Sequence, residues 1–144
     1  MTANELRETI FGCGHENILA THKTTLEFTR DTHLTKKGDC IVAVGTDKAL
    51  ADLSSEFKQL LRKPNAKLTV IIEASGIKGQ IKAHGSPQLI LTHPTDAVIR
   101  KSEYVSDKTL AIRADKAARD LPRELVEKLR IPRQKVKITL IVRV

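Results

Sequence analysis

Residues Asp47–Lys67 read DKALADLSSEFKQLLRKPNAK, and residues Asp115–Lys135 read DKAARDLPRELVEKLRIPRQK. At a constant offset of 68, ten of the 21 positions carry the same residue. Asp47, Lys48, Ala49, Asp52, Leu53, Glu56, Leu61, Arg62, Pro64 and Lys67 recur as Asp115, Lys116, Ala117, Asp120, Leu121, Glu124, Leu129, Arg130, Pro132 and Lys135. Unrelated segments of this length would share roughly one, so the match reads as an internal repeat. It extends upstream: Asp39 meets Asp107 and Ala43 meets Ala111. Beyond a gap near Asp31–His33 the offset becomes 71, where Gly14 meets Gly85 and Thr21-His22-Lys23-Thr24 meets Thr92-His93-Pro94-Thr95. The two halves run near 10–73 and 81–141, within one domain of 144 residues.

One secondary-structure reading serves both halves. Asn17–Thr29 alternates, with Ile18, Ala20, Leu26 and Phe28 on one face, and Gln88–Arg100 does the same with Leu89, Leu91, Ala97 and Ile99; each predicts a half-buried strand. A Gly38-Asp39 or Ser106-Asp107 turn leads into a short apolar strand, Cys40–Val44 or Thr109–Arg113. A helix follows, with Asp47 or Asp115 expected to cap its first turn. Leu50, Leu53, Phe57, Leu60 and Leu61 fit a period of 3.6. In the second copy Pro122 predicts a restart after Leu121. Pro64 and Pro132 stop the helices, and the β-branched runs Lys67–Ala74 and Lys135–Val144 close each unit. Glu5–Cys13 and Ile77–His84 add a strand ahead of each half, and Gly76 to Gly79 reads as a hairpin-like turn between them.

A repeated strand-strand-helix-strand unit predicts an α+β, strand-rich fold in which neither half covers its own apolar face. The expected solution is a pseudo-twofold, six-stranded closed β-barrel with two helices, because closure removes exposed edges. The polar turn Leu34-Thr35-Lys36-Lys37-Gly38-Asp39 before the apolar Cys40–Val44 resembles the Gly-Asp box of the cradle-loop (double-psi-like) barrels. That resemblance implies the same half-unit order, with the glycine in a tight turn and the aspartate tying it down. The second copy has Ser106 in place of Gly38. Over nearly the whole chain, the strings GHENILATHKTTLEFT, LTKKGDCIV, HPTDAVIRKS and TLAIRADKAARDLPRELVEKL resemble an archaeal family known as domain of unknown function 371. This resemblance implies an archaeal, intracellular (cytoplasmic) protein and carries over no catalytic residues.

Lys and Arg number 25 against 17 Asp and Glu, a formal charge of +8. Such a surplus either favours anionic partners or serves only to keep the chain in solution. Aromatic residues are only 3%, with no Trp, which counts against a platform that stacks single-stranded bases. Cys13 and Cys40 read as buried thiols of a reducing compartment. Zinc at Cys13, His15 and Cys40 is disfavoured, because a Cys-x-His spacing is not that of structural zinc. No phosphate loop and no nucleophile elbow occurs. The N-terminal residues lack the apolar run of a signal peptide, and no stretch is long enough for a membrane helix.

Four residues stand out as candidate catalytic groups: His15, His22, His93 and Glu27. His22 and His93 interrupt apolar stripes, so each needs partners, either local backbone and Thr hydroxyls or a shared ligand. His15 lies in Gly14-His15-Glu16-Asn17, a turn that suits a site mouth. Its counterpart is Ser86, and the counterpart of Glu27 is Val98, so both break the repeat. Candidate ligand-binding residues are Asn17, Thr24, Thr95, Lys135 and Lys137; the two lysines share one strand face, where a phosphate backbone could run. No metal site is expected, and the residues point to no particular cofactor. Three functions remain open: a module binding RNA, a nucleotide or another small anion; a small metabolic enzyme with a His-containing pocket; and a structural or assembly protein without ligand, in which a second copy of the chain is a candidate partner.

Overall fold

The computed structural model describes residues 4–144. In chain order its elements are β1 (Glu5–Cys13), β2 (Thr25–Thr29), β3 (Ile41–Ala43), α1 (Ser55–Leu61), β4 (Lys67–Ala74), β5 (Ile77–His84), β6 (Asp96–Arg100), β7 (Thr109–Ala111), α2 (Arg123–Leu129) and β8 (Lys135–Arg143). A single 3-10 turn precedes each helix, at Leu50–Asp52 and Ala118–Asp120. The protein is thus α+β and strand-rich, with two helices and two four-stranded sheets. The boundaries of β3, the 3-10 turn and the helix recur 68 residues later in β7, the second turn and α2, and β4 and β8 start at the same spacing.

The first sheet is antiparallel throughout, in the order β1-β8-β4-β5. Its β4–β5 hairpin turns on two residues, Ser75 and Gly76, at φ 52° and 79°. Two left-handed residues match the twist of the flanking strands. Gly79, expected in that turn, lies inside β5 opposite Ile72, where its bare Cα lets Leu121 and Leu125 pack close. The second sheet runs β3-β2-β6-β7, antiparallel at its centre and parallel at both flanks.

The strands alternate as a half-buried sheet should. Leu68, Val70 and Ile72 of β4, and Val136, Ile138, Leu140 and Val142 of β8, are all fully buried. They share one contiguous core with Leu26, Phe28, Ala97 and Ile99 of the other sheet and with Phe57, Leu61, Leu125 and Leu129 of the helices. Each such Val, Leu, Ile or Phe side chain contributes about 1.5–3 kcal/mol by leaving water. Among the described residues, no helix is long and apolar enough to cross a membrane.

The closed six-stranded barrel does not form. The two sheets touch through one isolated bridge on each side, Cys13 with Val44 and His84 with Ile112. Each bridge has two backbone bonds of 2.8 and 2.9 Å. The ladder stops there because Gly45 (φ 56°) and Arg113 (φ 50°) turn the chain away at the next residue. With only three residues each, β3 and β7 have no length left to pair further. The open edges of β1 and β5 are blocked instead by the repeated aspartates. Phe11 N donates to Asp47 Oδ1 and Asp47 N to the Phe11 carbonyl; Lys82 and Asp115 do the same. Filled edge positions of this kind oppose edge-to-edge pairing.

Three local expectations are corrected. First, Asn17–Thr29 and Gln88–Arg100 are strands only over their last residues, 25–29 and 96–100. Their alternating apolar residues are buried as expected, but Ala20 (φ 49°) and Leu91 (φ 58°) adopt left-handed backbone that no strand tolerates. Second, Asp47 does not cap α1; Ser54 does, its hydroxyl accepting from Phe57 N at 3.1 Å. Asp52 and Asp120 serve the 3-10 turns, accepting from Ala49 N and Ala117 N at 2.9 Å. Third, the Gly38-Asp39 turn is tied through a carbonyl: Asp39 O accepts from Thr21 N at 3.0 Å and His22 N at 3.3 Å.

Candidate anion-binding face

Every second residue of β1, β8, β4 and β5 points away from the core, and register aligns these outward residues in rows. Glu5, Arg143, Lys67 and His84 form one row; Arg7, Ile141, Thr69 and Lys82 form the next. The central row is Thr9, Thr139, Ile71 and Gln80, followed by Phe11, Lys137, Glu73 and Lys78, with Lys135 beyond. Seven cationic side chains share this face with two carboxylates, a surplus of five out of the chain's +8. Both carboxylates are engaged, Glu5 with Arg143 at 2.6 Å and Glu73 with Lys78 at 3.7 Å. The expected pair Lys135 and Lys137 belongs here, with Lys135 Nζ 4.6 Å from the centre of the Phe11 ring.

The densest charge lines a groove of about 460 Å³ walled by Arg7, Lys67, Lys82, His84 and Arg143. Partial burial, and after it the positive charges of Arg113 and Lys67, pull the His84 pKa below its ordinary value. The Arg143 guanidinium, through its hydrogen bond and then its charge, holds Glu5 below the usual carboxylate range. The Glu5 shift reports its contact with Arg143, whereas the His84 shift is first one of burial, to which the charges of Arg113 and Lys67 add. The motif reading missed Arg7, Lys67, Lys82 and Arg143 as a group. Their signal was present as charge on alternate residues of four strands, but only the sheet order brings them together.

His15 occupies a different place. Its backbone N donates to Leu129 O at 2.9 Å, its carbonyl accepts from Ile18 N at 3.1 Å, and its ring Nδ1 accepts from Asn17 N at 3.0 Å. The Asn17 amide in turn donates to Leu34 O at 2.9 Å. Gly14 is needed beside it, since a Cβ there would stand 2.4 Å from Ile131 O. The His15 ring lines a second crevice with Cys13, Glu16, Thr32 and Arg133. Neither His22, His93 nor Glu27 lines that crevice.

His22 and His93 lie at opposite ends of the antiparallel β2–β6 pair, just before Thr25 and Asp96, with Glu27 at its middle. The His22 ring Nδ1 accepts from the backbone N of Thr24 (3.2 Å) and Thr25 (3.1 Å). His93 repeats the arrangement with Thr95 (3.2 Å) and Asp96 (2.9 Å). Each histidine carbonyl also receives an amide from the 3-10 turn of the opposite half: Arg119 N to His22 O and Ala51 N to His93 O. Between them lies Glu27, 3.8 Å from Cys40 Sγ. Burial first, then the charge of Asp96, raises Glu27 to about 7. Asp96 itself is held by Thr29 at 2.7 Å and Lys108 at 3.2 Å. Burial and the Glu27 charge push the Cys40 thiol up to about 11. Among the described residues, no group of three or more potential metal ligands occurs.

Fold and surface together define a small two-sheet α+β domain with one open sheet face that is cationic. The family profile described as "Domain of unknown function (DUF371)" matches residues 10–143, and the chain belongs to that family. It is 51% identical over 117 residues to an uncharacterized protein of the archaeon Methanocaldococcus jannaschii, covering 81% of this chain and 86% of the relative.

Proposed function

We propose that this protein is a binding module for an extended polyanion, single-stranded RNA foremost, which lies across the outer face of β1-β8-β4-β5. The observation that carries this reading is the surplus of five positive charges on one sheet face, whose two carboxylates are already paired. Phosphates laid along β8 would meet Arg143 at one end and Lys137 and Lys135 at the other, with Arg7, Lys67 and Lys82 flanking. Threonines at the centre, Thr9, Thr69 and Thr139, add hydroxyl donors without a sequence preference. With Phe11 and the His84 imidazole the two rings on the face, affinity comes from the phosphate backbone rather than from stacked bases.

We further read the two halves as copies of one unit paired about a pseudo-twofold axis. Support comes from the recurring element boundaries, from the palindromic strand orders, and from the reciprocal bonds of His22 and His93 to the opposite half.

The test is the salt dependence of oligouridylate binding, followed by fluorescence anisotropy. Neutralising five phosphates of a single strand predicts a slope of log Kd against log salt near 3.5, and Arg7→Gln/Lys67→Gln/Lys82→Gln should reduce it by about 2. A flat salt response, or a triple variant with the parent slope, removes this function.

A further inference from the structure

We infer that the crevice beside His15 is a binding site for a small organic carboxylate, separate from the cationic sheet face. It has a volume of about 460 Å³ and lies where the end of β1, the turn after β3 and the turn after α2 converge. Its polar side chains are four that can donate and one carboxylate, Glu16. The His15 Nδ1 is taken by the Asn17 backbone N–H, so the neutral ring carries its proton on Nε2. Arg133 supplies a guanidinium, Thr32 a hydroxyl and Cys13 a thiol. Val44 and Pro132 supply an apolar wall. Glu16, exposed beside His15, offsets part of the Arg133 charge, so the lining suits a ligand with a single anionic head rather than several. A carboxylate held by Arg133 and His15, with its short carbon chain against Val44 and Pro132, matches this lining.

Two further observations set the crevice apart. Arg133 sits at φ 66°, a left-handed conformation that a long side chain adopts only under constraint. The counterpart crevice in the second half, about 390 Å³, is walled by Ser86, Pro87, Glu103 and Arg113, with no imidazole and no thiol. Ser86 and Arg113 supply donors there too, so the imidazole and the thiol are what the first crevice has alone.

The experiment titrates the full chain with butyrate, and with butanol as the neutral analogue, while following the imidazole Hε1 resonances by NMR at fixed pH. His15→Asn assigns the His15 signal and keeps an acceptor for the Asn17 backbone N–H. Butyrate should move the His15 signal saturably and leave His22, His84 and His93 in place, whereas butanol should have no effect. Arg133→Gln should weaken the response at least tenfold. Arg133→Gly should do the same while unfolding at an equal or higher temperature, because it relieves the left-handed φ. Arg113→Gln, in the counterpart crevice, should change nothing. An equal response to butanol, or a butyrate response that survives both Arg133 substitutions, overturns the inference. The triple Gln variant of Arg7, Lys67 and Lys82 should keep its butyrate response, so failure of this site and failure of the RNA-binding face are read separately.

Discussion

Replacing Glu27 with Gln should make the protein more stable, and only above mildly acidic pH. Glu27 lies mid-strand in β2, opposite Val98, with Cys40 on one side and the Asp96 carboxylate near it. Burial and the Asp96 charge raise its pKa from 4.5 to about 7, and Lys108, Cys40 and Arg100 only partly oppose them. Below pH 4.5 the acid is protonated in both folded and unfolded chains and imposes no penalty. As pH rises from there to about 7, the unfolded chain loses the proton first and stability falls. Above that range the loss is complete. The full shift corresponds to about 3 kcal/mol. Residual solvent contact screens part of it, leaving about 1–2 kcal/mol. Gln keeps the shape and an oxygen for the Cys40 thiol but has no proton to lose. Urea denaturation should therefore give the two proteins similar stability near pH 4, and an advantage to Glu27→Gln of about 1–2 kcal/mol, or about 2–8 °C in Tm, near pH 8. Two stability curves that fall in parallel between these pH values, or a variant less stable near pH 8, would refute the reasoning.

Gly14→Ala should cost about 3 kcal/mol in the same denaturation assay, because the methyl would meet the backbone oxygens of Ile131 and Leu129 at 2.4 and 2.5 Å. Gly76→Ala has no atom within 4 Å and should lose only about 1 kcal/mol through its left-handed φ of 79°. His93→Ala strips an acceptor from the amides of Thr95 and Asp96 and should destabilise by about 1–3 kcal/mol, whereas His93→Asn, whose side-chain oxygen replaces Nδ1, should recover much of the loss.

The order of elements, the two helices and the buried faces of the strands were legible in the linear sequence. Burial is a local property of alternation: Ile18, Ala20, Leu26 and Phe28 show the same register whether the backbone between them is extended or not. That is also why the strands were read too long. Ala20 and Leu91 are ordinary L-residues, and nothing in their identity announces a left-handed φ; the tertiary contacts around them impose it. The repeated aspartates were visible as a motif, yet the edges they block belong to β1 and β5, more than thirty residues away.

The candidate sites divide along the same line. His15 was singled out because it breaks the repeat, and the fold places it in a donor-lined crevice, with Arg133 brought from the far end of the chain. The net charge of +8 was evident from composition, but not where it resides. The amino-acid sequence by itself determined which residues face water and which face the core, because hydrophobic periodicity acts over a few residues. Only the tertiary structure decided that the two sheets stay separate and that Arg7, Lys67, Lys82 and Arg143 share one surface. Both depend on hydrogen-bond ladders between strands as far apart as β1 and β8, and on chain reversals at Gly45 and Arg113, which no local pattern encodes.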